Sequence, residues 1–282
     1  MAIEGLKNVL LTGASSGIGR SLADALLAAG YRVWGTSRDP GRLATRPNFC
    51  HVRLDLNDPA SLADCVAQVE REAGTIDVLI NNAGEAVSGP LEALAGDAFA
   101  AQFQTLLFGP LELIRRVLPA MRQRRCGLIV NISSLAARFP MPFNGAYNAA
   151  KAALSSVSDC LRLELAGTGV AVVDVQPGPL ATEFLPRIRQ LASALCEQYE
   201  PNLAQARAAK DREFRRAPGP DRLAQAVVRV IRDPRHAPLR LTAGSFRVAK
   251  LGPLLARLAP HRLVMWILRR TYGLPSLRKR PS

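Results

Sequence analysis

Residues 8–19 read Asn-Val-Leu-Leu-Thr-Gly-Ala-Ser-Ser-Gly-Ile-Gly, a short apolar run followed by a turn that contains three glycines. A stripe of apolar residues at helical spacing comes next, with Leu22, Leu26 and Ala29. This order of strand, glycine-rich turn and helix is typical of a dinucleotide site, because glycines let the backbone approach a pyrophosphate that rests on the N–H groups of the helix N-terminus. A plain tight turn is the alternative interpretation of the glycines alone.

The rest of the chain alternates apolar runs of strand length with longer helical segments, which is the pattern of a parallel sheet covered on both faces. Residues 9–11 and 128–130 are apolar at consecutive positions, as expected for strands that are buried on both sides. The sequence therefore predicts an α/β fold: a single Rossmann-type, doubly wound parallel sheet of about seven strands with helices on both faces. Candidate strands are 8–12, 31–37, 49–54, 76–80, 127–133, 170–176 and 239–242, and candidate helices are 17–29, 59–73, 97–124, 146–166 and 221–232.

Length and composition limit the class of protein. The chain has 282 residues, of which 48% are hydrophobic and 21% charged, so a sizeable core is available. No apolar run reaches the ~20 residues that a membrane-spanning helix needs, and no secretory signal is visible. The five cysteines are scattered and odd in number, which indicates reduced residues and neither staples nor metal ligands. We therefore expect a cytoplasmic protein without a metal site.

The net charge of +14 is concentrated in one part of the chain. Residues 1–233 hold 26 basic and 23 acidic side chains, whereas residues 234–282 hold eleven basic and no acidic ones. Because the body is nearly neutral, we do not expect nucleic acid as a partner. Within the tail, residues 262–270 place six apolar residues between arginines, a pattern that favours peripheral contact with a membrane surface, with Trp266 at headgroup depth. A lid over a substrate pocket, a dimer contact and a solvated tail are the alternatives. Further basic residues of this tail are Lys250, Arg257, Arg278, Lys279 and Arg280.

The end of the second predicted strand, Thr36-Ser37-Arg38, bears on which dinucleotide is bound. An acidic residue there would bind the ribose hydroxyls, whereas an arginine beside a hydroxyl suits a 2′-phosphate. We therefore expect NADP(H) to be preferred over NAD(H), while an Arg38 that only faces solvent is the alternative. Asp55, which closes the third strand, is placed either to meet the adenine amino group or to cap the next helix.

A serine, a tyrosine and a lysine follow the fifth long strand. Tyr147 and Lys151 are four residues apart, so a helix would put them on one face, and Ser134 ends the preceding strand. A tyrosine with a pKa of ~10 is a poor acid–base group near neutral pH, and a fixed ammonium group would lower that pKa. Because this spacing is common on ordinary helices, the interpretation depends on its combination with the glycine turn and with Asn81-Asn82-Ala83-Gly84 after the fourth strand.

Over residues 6–183 the chain resembles the short-chain dehydrogenase/reductase family. The motifs that carry the resemblance are TGASSGIG at 12–19, NNAG at 81–84, NISS at 131–134, YNAAK at 147–151 and PGPLAT at 177–182. The resemblance implies hydride transfer between NAD(P)H and a carbonyl by a Rossmann-fold catalytic domain at 1–245. That domain would carry an insertion at about 185–220, and a basic, partly amphipathic extension would follow at 246–282.

The resemblance also implies roles for individual residues. Tyr147 would exchange a proton with the substrate oxygen, Ser134 would hydrogen-bond the same oxygen, and Lys151 would lower the tyrosine pKa and hold the nicotinamide ribose. The implied cofactor-binding residues are Gly13, Ser15, Ser16, Gly17, Ile18, Gly19, Ser37, Arg38, Asp55, Asn82, Ala83, Gly84, Tyr147, Lys151, Pro177, Gly178 and Thr182.

One position departs from the family pattern. Leu106 stands where the family usually has an asparagine, three residues before Gly109. In the family that asparagine holds a water that relays protons to the lysine, and a leucine side chain cannot do so. Gln102, one helical turn earlier, is a candidate substitute, as is a backbone carbonyl. Without a substitute, we expect slow turnover but unimpaired cofactor binding.

The substrate class is inferred from apolar segments. Residues 109–110, 118–122 and 158–165 are similar to the branch of the family that reduces lipophilic ketones, such as hydroxysteroid and acyl-dihydroxyacetone-phosphate reductases. We expect substrate contacts from 85–89, 135–144 and the insertion, although Phe139, Met141 and Phe143 would equally cover the core. The sequence thus predicts an NADP(H)-dependent oxidoreductase of lipophilic ketones or secondary alcohols, in the cytoplasm or peripherally on the inner membrane surface. The alternative is a dinucleotide-binding sensor or scaffold at a membrane surface with little turnover. The resemblance to the family implies assembly as a homodimer or homotetramer.

Overall fold

The computed structural model describes residues 7–245, 252 and 258–275. The strands are β1 (Asn8–Leu11), β2 (Arg32–Ser37), β3 (Phe49–Arg53), β4 (Val78–Asn81), β5 (Val87–Ser88), β6 (Gly127–Ile132), β7 (Val170–Pro177), β8 (Arg189–Gln190) and β9 (Arg240–Ala243). Seven of them form one parallel sheet in the order β3-β2-β1-β4-β6-β7-β9, and β5 pairs with β8 in a separate two-stranded sheet. The predicted fold class is confirmed.

Helices cover both faces of the sheet. They are α1 (Gly17–Ala28), α2 (Pro59–Ala73), α3 (Gly96–Phe103), α4 (Gly109–Arg124), α5 (Gly145–Glu164), α6 (Ala194–Glu197), α7 (Asn202–Arg215), α8 (Asp221–Arg232) and α9 (His261–Thr271). One apolar cluster joins the sheet to α1 and α8, and another joins the opposite face to α2 and α4. Side chains of β1 alternate between the clusters, since Val9 and Leu11 enter the first and Leu10 the second. This burial on both faces explains the continuous apolar runs in the sequence.

The helix predicted over 97–124 is two helices joined by a π-helical turn at Gln104–Phe108. Pro110 accounts for the change of pitch, because it has no N–H to donate to the carbonyl four residues earlier, on Leu106. The fourth strand begins two residues later than predicted, at Val78. Before it, the carboxylate of Asp77 accepts from the backbone N–H groups of Lys7 and Asn8, both at 2.9 Å.

The insertion at 185–220 holds more structure than its sequence predicted. It contains β8, α6 and α7, and several of its side chains reach the carboxyl edge of the main sheet. The expected boundary between the domain and its extension, and the tail residues Lys250, Arg257, Arg278, Lys279 and Arg280, lie outside the described residues. Of the helices that the structure describes, none is both long and apolar enough to cross a membrane.

Candidate active site

The loop after β4 fixes the glycine turn between β1 and α1. The Thr12 hydroxyl accepts from the N–H groups of Asn82 and Ala83, each at 2.9 Å. The Asn82 amide donates to the carbonyls of Thr12 and Gly13 at 2.9 and 3.1 Å. The side chain of Asn82 therefore acts on the turn itself, a structural contribution that the motif alone did not reveal.

Two glycines of the turn leave no room for a side chain. Gly13 has a φ of +68°, and a Cβ on it would lie 2.8 Å from the Cα of Ala83. A Cβ on Gly19 would lie 2.0 Å from the carbonyl oxygen of Gly13. The turn therefore forms an open cradle of backbone, which is what close approach of a pyrophosphate requires.

The N-terminus of α1 already accepts an anion from within the protein. The Glu183 carboxylate accepts from the Gly17 N–H at 3.0 Å and pairs with Arg20 at 2.8 Å. Backbone hydrogen bonding, first to its own N–H and also to Gly17, lowers the pKa of Glu183, and Arg20 acts in the same direction. The N–H groups of this terminus thus suit the negatively charged phosphates of a dinucleotide.

Arg38 lies at the carboxyl end of β2 with most of its side chain free. The guanidinium side chain is 70% exposed, and Glu85 is its ion-pair partner at 4.0 Å. The neighbouring Ser37 hydroxyl accepts from the N–H of Asp39 at 3.2 Å. Asp55 does not cap α2, because Asp58 accepts from the first turn of that helix and Asp55 accepts from the Asn57 N–H instead.

Ser134, Tyr147 and Lys151 meet beyond the carboxyl ends of β6 and β7. Tyr147 and Lys151 lie on consecutive turns of α5 and are 8% and 5% exposed, with the Lys151 Nζ 5.9 Å from the centre of the tyrosine ring. The Lys151 Nζ donates to the Ile132 carbonyl at 2.7 Å. The Ser134 hydroxyl accepts from the Ala136 N–H at 3.1 Å and donates to the Pro177 carbonyl at 3.4 Å.

Burial dominates the ionisation of this group. It raises the pKa of Tyr147 to about 12, while the nearby Ser134 hydroxyl acts in the opposite direction. Burial also lowers the pKa of Lys151 to about 8, and the Asp174 carboxylate opposes that change. The expected lowering of the tyrosine pKa by Lys151 is therefore not seen in this arrangement. The phenol is protonated at neutral pH, which suits a proton donor.

Gln102 was a candidate to replace the family asparagine that is missing at Leu106, and its contacts in the structure rule this out. Leu106 is buried beside Gly84. A Cβ built on Gly84 would lie 3.1 Å from the Cδ2 of Leu106 and 3.9 Å from the Nζ of Lys151. Gln102 does not substitute for the missing asparagine, because its amide accepts from the Val87 N–H at 3.1 Å and donates to the Glu85 carbonyl at 2.8 Å. Both ends of that amide are thus engaged, one by the loop after β4 and the other by the first residue of β5.

One cavity of about 1180 Å³ joins these groups, and every predicted cofactor-binding residue lines it. Of the segment expected at 85–89, residues 85 and 86 line the cavity, and residues of 135–144 and of the insertion line it as expected. Residues of α9 line it as well. Apolar side chains on these walls are Leu135, Phe139, Met141, Phe184, Ile188, Ile267 and Leu268. Phe143 instead packs edge-on against Tyr199, in the apolar cluster under α7.

Sequence reasoning missed the individual side chains of the insertion that line the cavity. Arg187, Lys210 and Glu213 belong to this wall. The insertion carries no motif, and the helical period of α7 was its only signal. That period predicts a helix but not which residues face a pocket formed by distant segments.

Comparisons with known proteins show what this chain is similar to. The model of the family "short chain dehydrogenase" matches residues 7–192. A 3-ketodihydrosphingosine reductase of Bacteroides thetaiotaomicron is 32% identical over 278 residues, which cover 94% of this chain and 98% of the relative. The structure of a short-chain dehydrogenase from Streptomyces avermitilis is 32% identical, with a TM-score of 0.79 and coverage of 94% and 97%. A serine dehydrogenase complexed with NADP+ is 29% identical, with a TM-score of 0.71 and coverage of 84% and 94%.

Proposed function

Because this chain belongs to the short-chain dehydrogenase family and is thus an oxidoreductase, we propose that it transfers a hydride between NADP(H) and a lipophilic ketone or secondary alcohol. The observation that carries the proposal is the convergence of Ser134, Tyr147 and Lys151 in one cavity with the glycine turn. The apolar walls of that cavity support a lipophilic substrate.

In the direction of reduction, the chain supplies a proton and positions the carbonyl. Reduced nicotinamide, when bound, supplies the hydride for the carbonyl carbon. The Tyr147 hydroxyl gives its proton to the carbonyl oxygen as the negative charge develops there, and the Ser134 hydroxyl donates a hydrogen bond to the same oxygen. Lys151 then stabilises the tyrosinate until it regains a proton from solvent. The ketone becomes an alcohol with one hydride and one proton gained.

Arg38 supports a preference for NADP(H). Its guanidinium is exposed at the end of β2, and its ion-pair partner at 4.0 Å is too distant for a hydrogen bond. A 2′-phosphate would offer a much closer partner with bidentate geometry. Solved structures of this fold carry either NADP or NADH, so they do not decide the preference.

Replacing Arg38 by aspartate should therefore raise the Kd for NADPH by about tenfold to a hundredfold, the usual effect of losing a charge-assisted hydrogen bond, and leave the Kd for NADH nearly unchanged. Fluorescence titration of both nucleotides measures this directly. The matched control is Arg32→Asp, which makes the same charge change at the opposite, exposed end of β2. Equal weakening of both nucleotides by Arg38→Asp would contradict the preference.

A nucleotide sensor with little turnover is the second candidate function, and Leu106 favours it. This side chain occupies the space beside Lys151 and offers no polar group for a proton-relaying water. The backbone near Leu106 argues against the sensor. Pro110 has no N–H to donate to the Leu106 carbonyl, so that oxygen lacks the usual helical hydrogen bond. A water on this carbonyl would restore the relay, which is why we prefer the enzyme.

Replacing Leu106 by asparagine tests which view is correct. If the leucine limits proton return to Tyr147, Leu106→Asn should raise kcat by about tenfold. Even the lower end of typical general acid–base contributions, roughly 10²-fold, is larger than this gain. Leu107→Asn is the control, because it puts the same amide at the neighbouring buried position of the π-helical turn. Rapid turnover by the unmodified protein, with no gain in Leu106→Asn, would exclude the sensor.

We also propose that α9 lies on a membrane surface at the mouth of the cavity. Leu263, Trp266 and Ile267 share one face of the helix and are 46%, 45% and 43% exposed. The Arg270 guanidinium lies 4.6 Å from the centre of the Trp266 ring, so the face joins apolar groups with a cation. The same helix borders the cavity through Leu268, so a lipophilic substrate would enter from the bilayer side.

Vesicle sedimentation tests this contact. The protein should bind phosphatidylserine vesicles more strongly than phosphatidylcholine vesicles, and Trp266→Ser should weaken binding by about tenfold, given the apolar area that is lost. Leu163→Ser is the control, because Leu163 is equally apolar and 80% exposed on α5. Unchanged sedimentation of Trp266→Ser would leave α9 as a lid or a dimer contact.

A further inference from the structure

A buried cation in the cavity wall has no part in the chemistry described above. Lys210 on α7 is 5% exposed, and its Nζ donates to the Ser88 hydroxyl at 3.1 Å. The Ser88 side chain is itself fully buried. Among the residues that the structure describes, no carboxylate forms an ion pair with Lys210. The Lys210 ammonium group is therefore held in the cavity wall by the neutral hydroxyl of Ser88.

The surroundings add positive charge. Arg207 lies one helical turn earlier, and its Nε is buried without a hydrogen-bond partner. Burial and Arg207 lower the pKa of Lys210 to about 8, and Asp211 only partly opposes them. Glu213, an acidic side chain of the same wall, acts on Tyr272, whose pKa is raised first by burial and then by the charge of Glu213. The ammonium group of Lys210 thus has spare donors, and the cation Arg207 lies near it.

An ammonium group has three donors, and leaving them unpaired in a buried site is costly. Lys210 also lines the cavity, so an acceptor arriving with the ligand can reach it. We propose that Lys210 binds an anionic oxygen group, a carboxylate or a phosphate, carried by the substrate. This inference rests on the proposed function and narrows its substrate class to lipophilic ketones with an acidic group. Ketones that carry an ammonium group are disfavoured by the same charge, and they include the 3-ketodihydrosphingosine in the name of the Bacteroides relative, so the inference gives this chain a different substrate from that relative.

The experiment uses the full chain loaded with NADPH and measures binding by calorimetry. The probes are dodecanoate, dodecyl phosphate, methyl dodecanoate and dodecylamine, which share one alkyl chain and differ in charge. The unmodified protein should bind at least one of the two anions about tenfold more tightly than the ester, the effect of a charge-assisted hydrogen bond, and the amine most weakly. The anion that gains more identifies the group on the substrate.

Lys210→Met should abolish the preference and leave the affinity for the ester unchanged, because methionine keeps most of the side-chain volume. Lys210→Arg should retain the preference. Arg270→Gln controls for attraction by the basic surface and should also retain it, since that side chain lies on Trp266 of the exposed face. Unchanged NADPH affinity shows that each variant is folded, and Lys210→Gln replaces the methionine variant if that one is not.

The outcomes separate this inference from the proposed function. Equal affinity of the unmodified protein for anions and ester, or a preference that persists in Lys210→Met, overturns the inference and leaves the reductase proposal standing. Tight binding of an anion by a protein that reduces no ketone overturns the reductase proposal alone. Failure to bind any of the four probes overturns the lipophilic cavity and the inference with it.

Discussion

Tyr147→Phe is expected to lower kcat for ketone reduction by about 10³-fold and to leave the Kd for NADPH nearly unchanged. The reason is that phenylalanine keeps the ring, which packs against Phe184 with 6.0 Å between ring centres, but removes the only proton that the residue can donate. Absorbance of NADPH measures turnover, and fluorescence titration measures binding. A panel of steroid, medium-chain and acyl-glycerone ketones identifies the best substrate.

Tyr272→Phe is the matched control for that result. Tyr272 also lines the cavity, is also buried, and also has a pKa raised by burial. It differs in its position, since it lies in an apolar cluster with Ala206 and Ala209 of α7, whereas Tyr147 lies in a different cluster with Leu106 and Ala150. We expect Tyr272→Phe to change kcat by less than about tenfold. Comparable losses in the two variants would mean that Tyr147 is not the proton donor.

The sequence was most informative where one short segment contains all the parts of a feature. The glycine turn, the helical spacing of Tyr147 and Lys151, and the strand periodicity are local, and a parallel sheet brings its carboxyl ends to one edge. Those rules predicted the sheet and which motifs share the cavity. They did not predict that burial would dominate the pKa of Tyr147, because burial depends on the packing of many segments at once.

Features that depend on distant contacts were out of reach. Lys210 and Ser88 are 122 positions apart, and nothing in either local pattern indicates that they meet. The contact of Glu183 with Gly17 spans 166 positions in the same way. The π-helical turn is a different case, since Pro110 within a long helical segment was a visible signal for a change of pitch. The role of this turn in the site depends on its position beside Lys151, which the sequence does not show.

Gly19→Ala is expected to raise the Kd for NADPH by about a hundredfold or more, which corresponds to about 2.7 kcal/mol. The added Cβ would lie 2.0 Å from the Gly13 carbonyl oxygen and 2.6 Å from the Asn82 amide nitrogen. Neither atom can move freely, because Asn82 donates to Gly13 and Thr12 and thereby fixes the turn. The variant must displace the cradle on which the phosphates would rest.

The same clash should lower the free energy of unfolding by about 1–3 kcal/mol, the usual cost of overpacking, so a thermal melt accompanies the NADPH titration. Gly96→Ala separates the two effects of the substitution. Gly96 begins α3, and a Cβ there meets nothing within 4 Å, so this control should keep both nucleotide affinity and stability. If Gly19→Ala bound NADPH as well as Gly96→Ala does, the phosphates would not lie on this turn, and the nucleotide site would have to be sought elsewhere in the cavity.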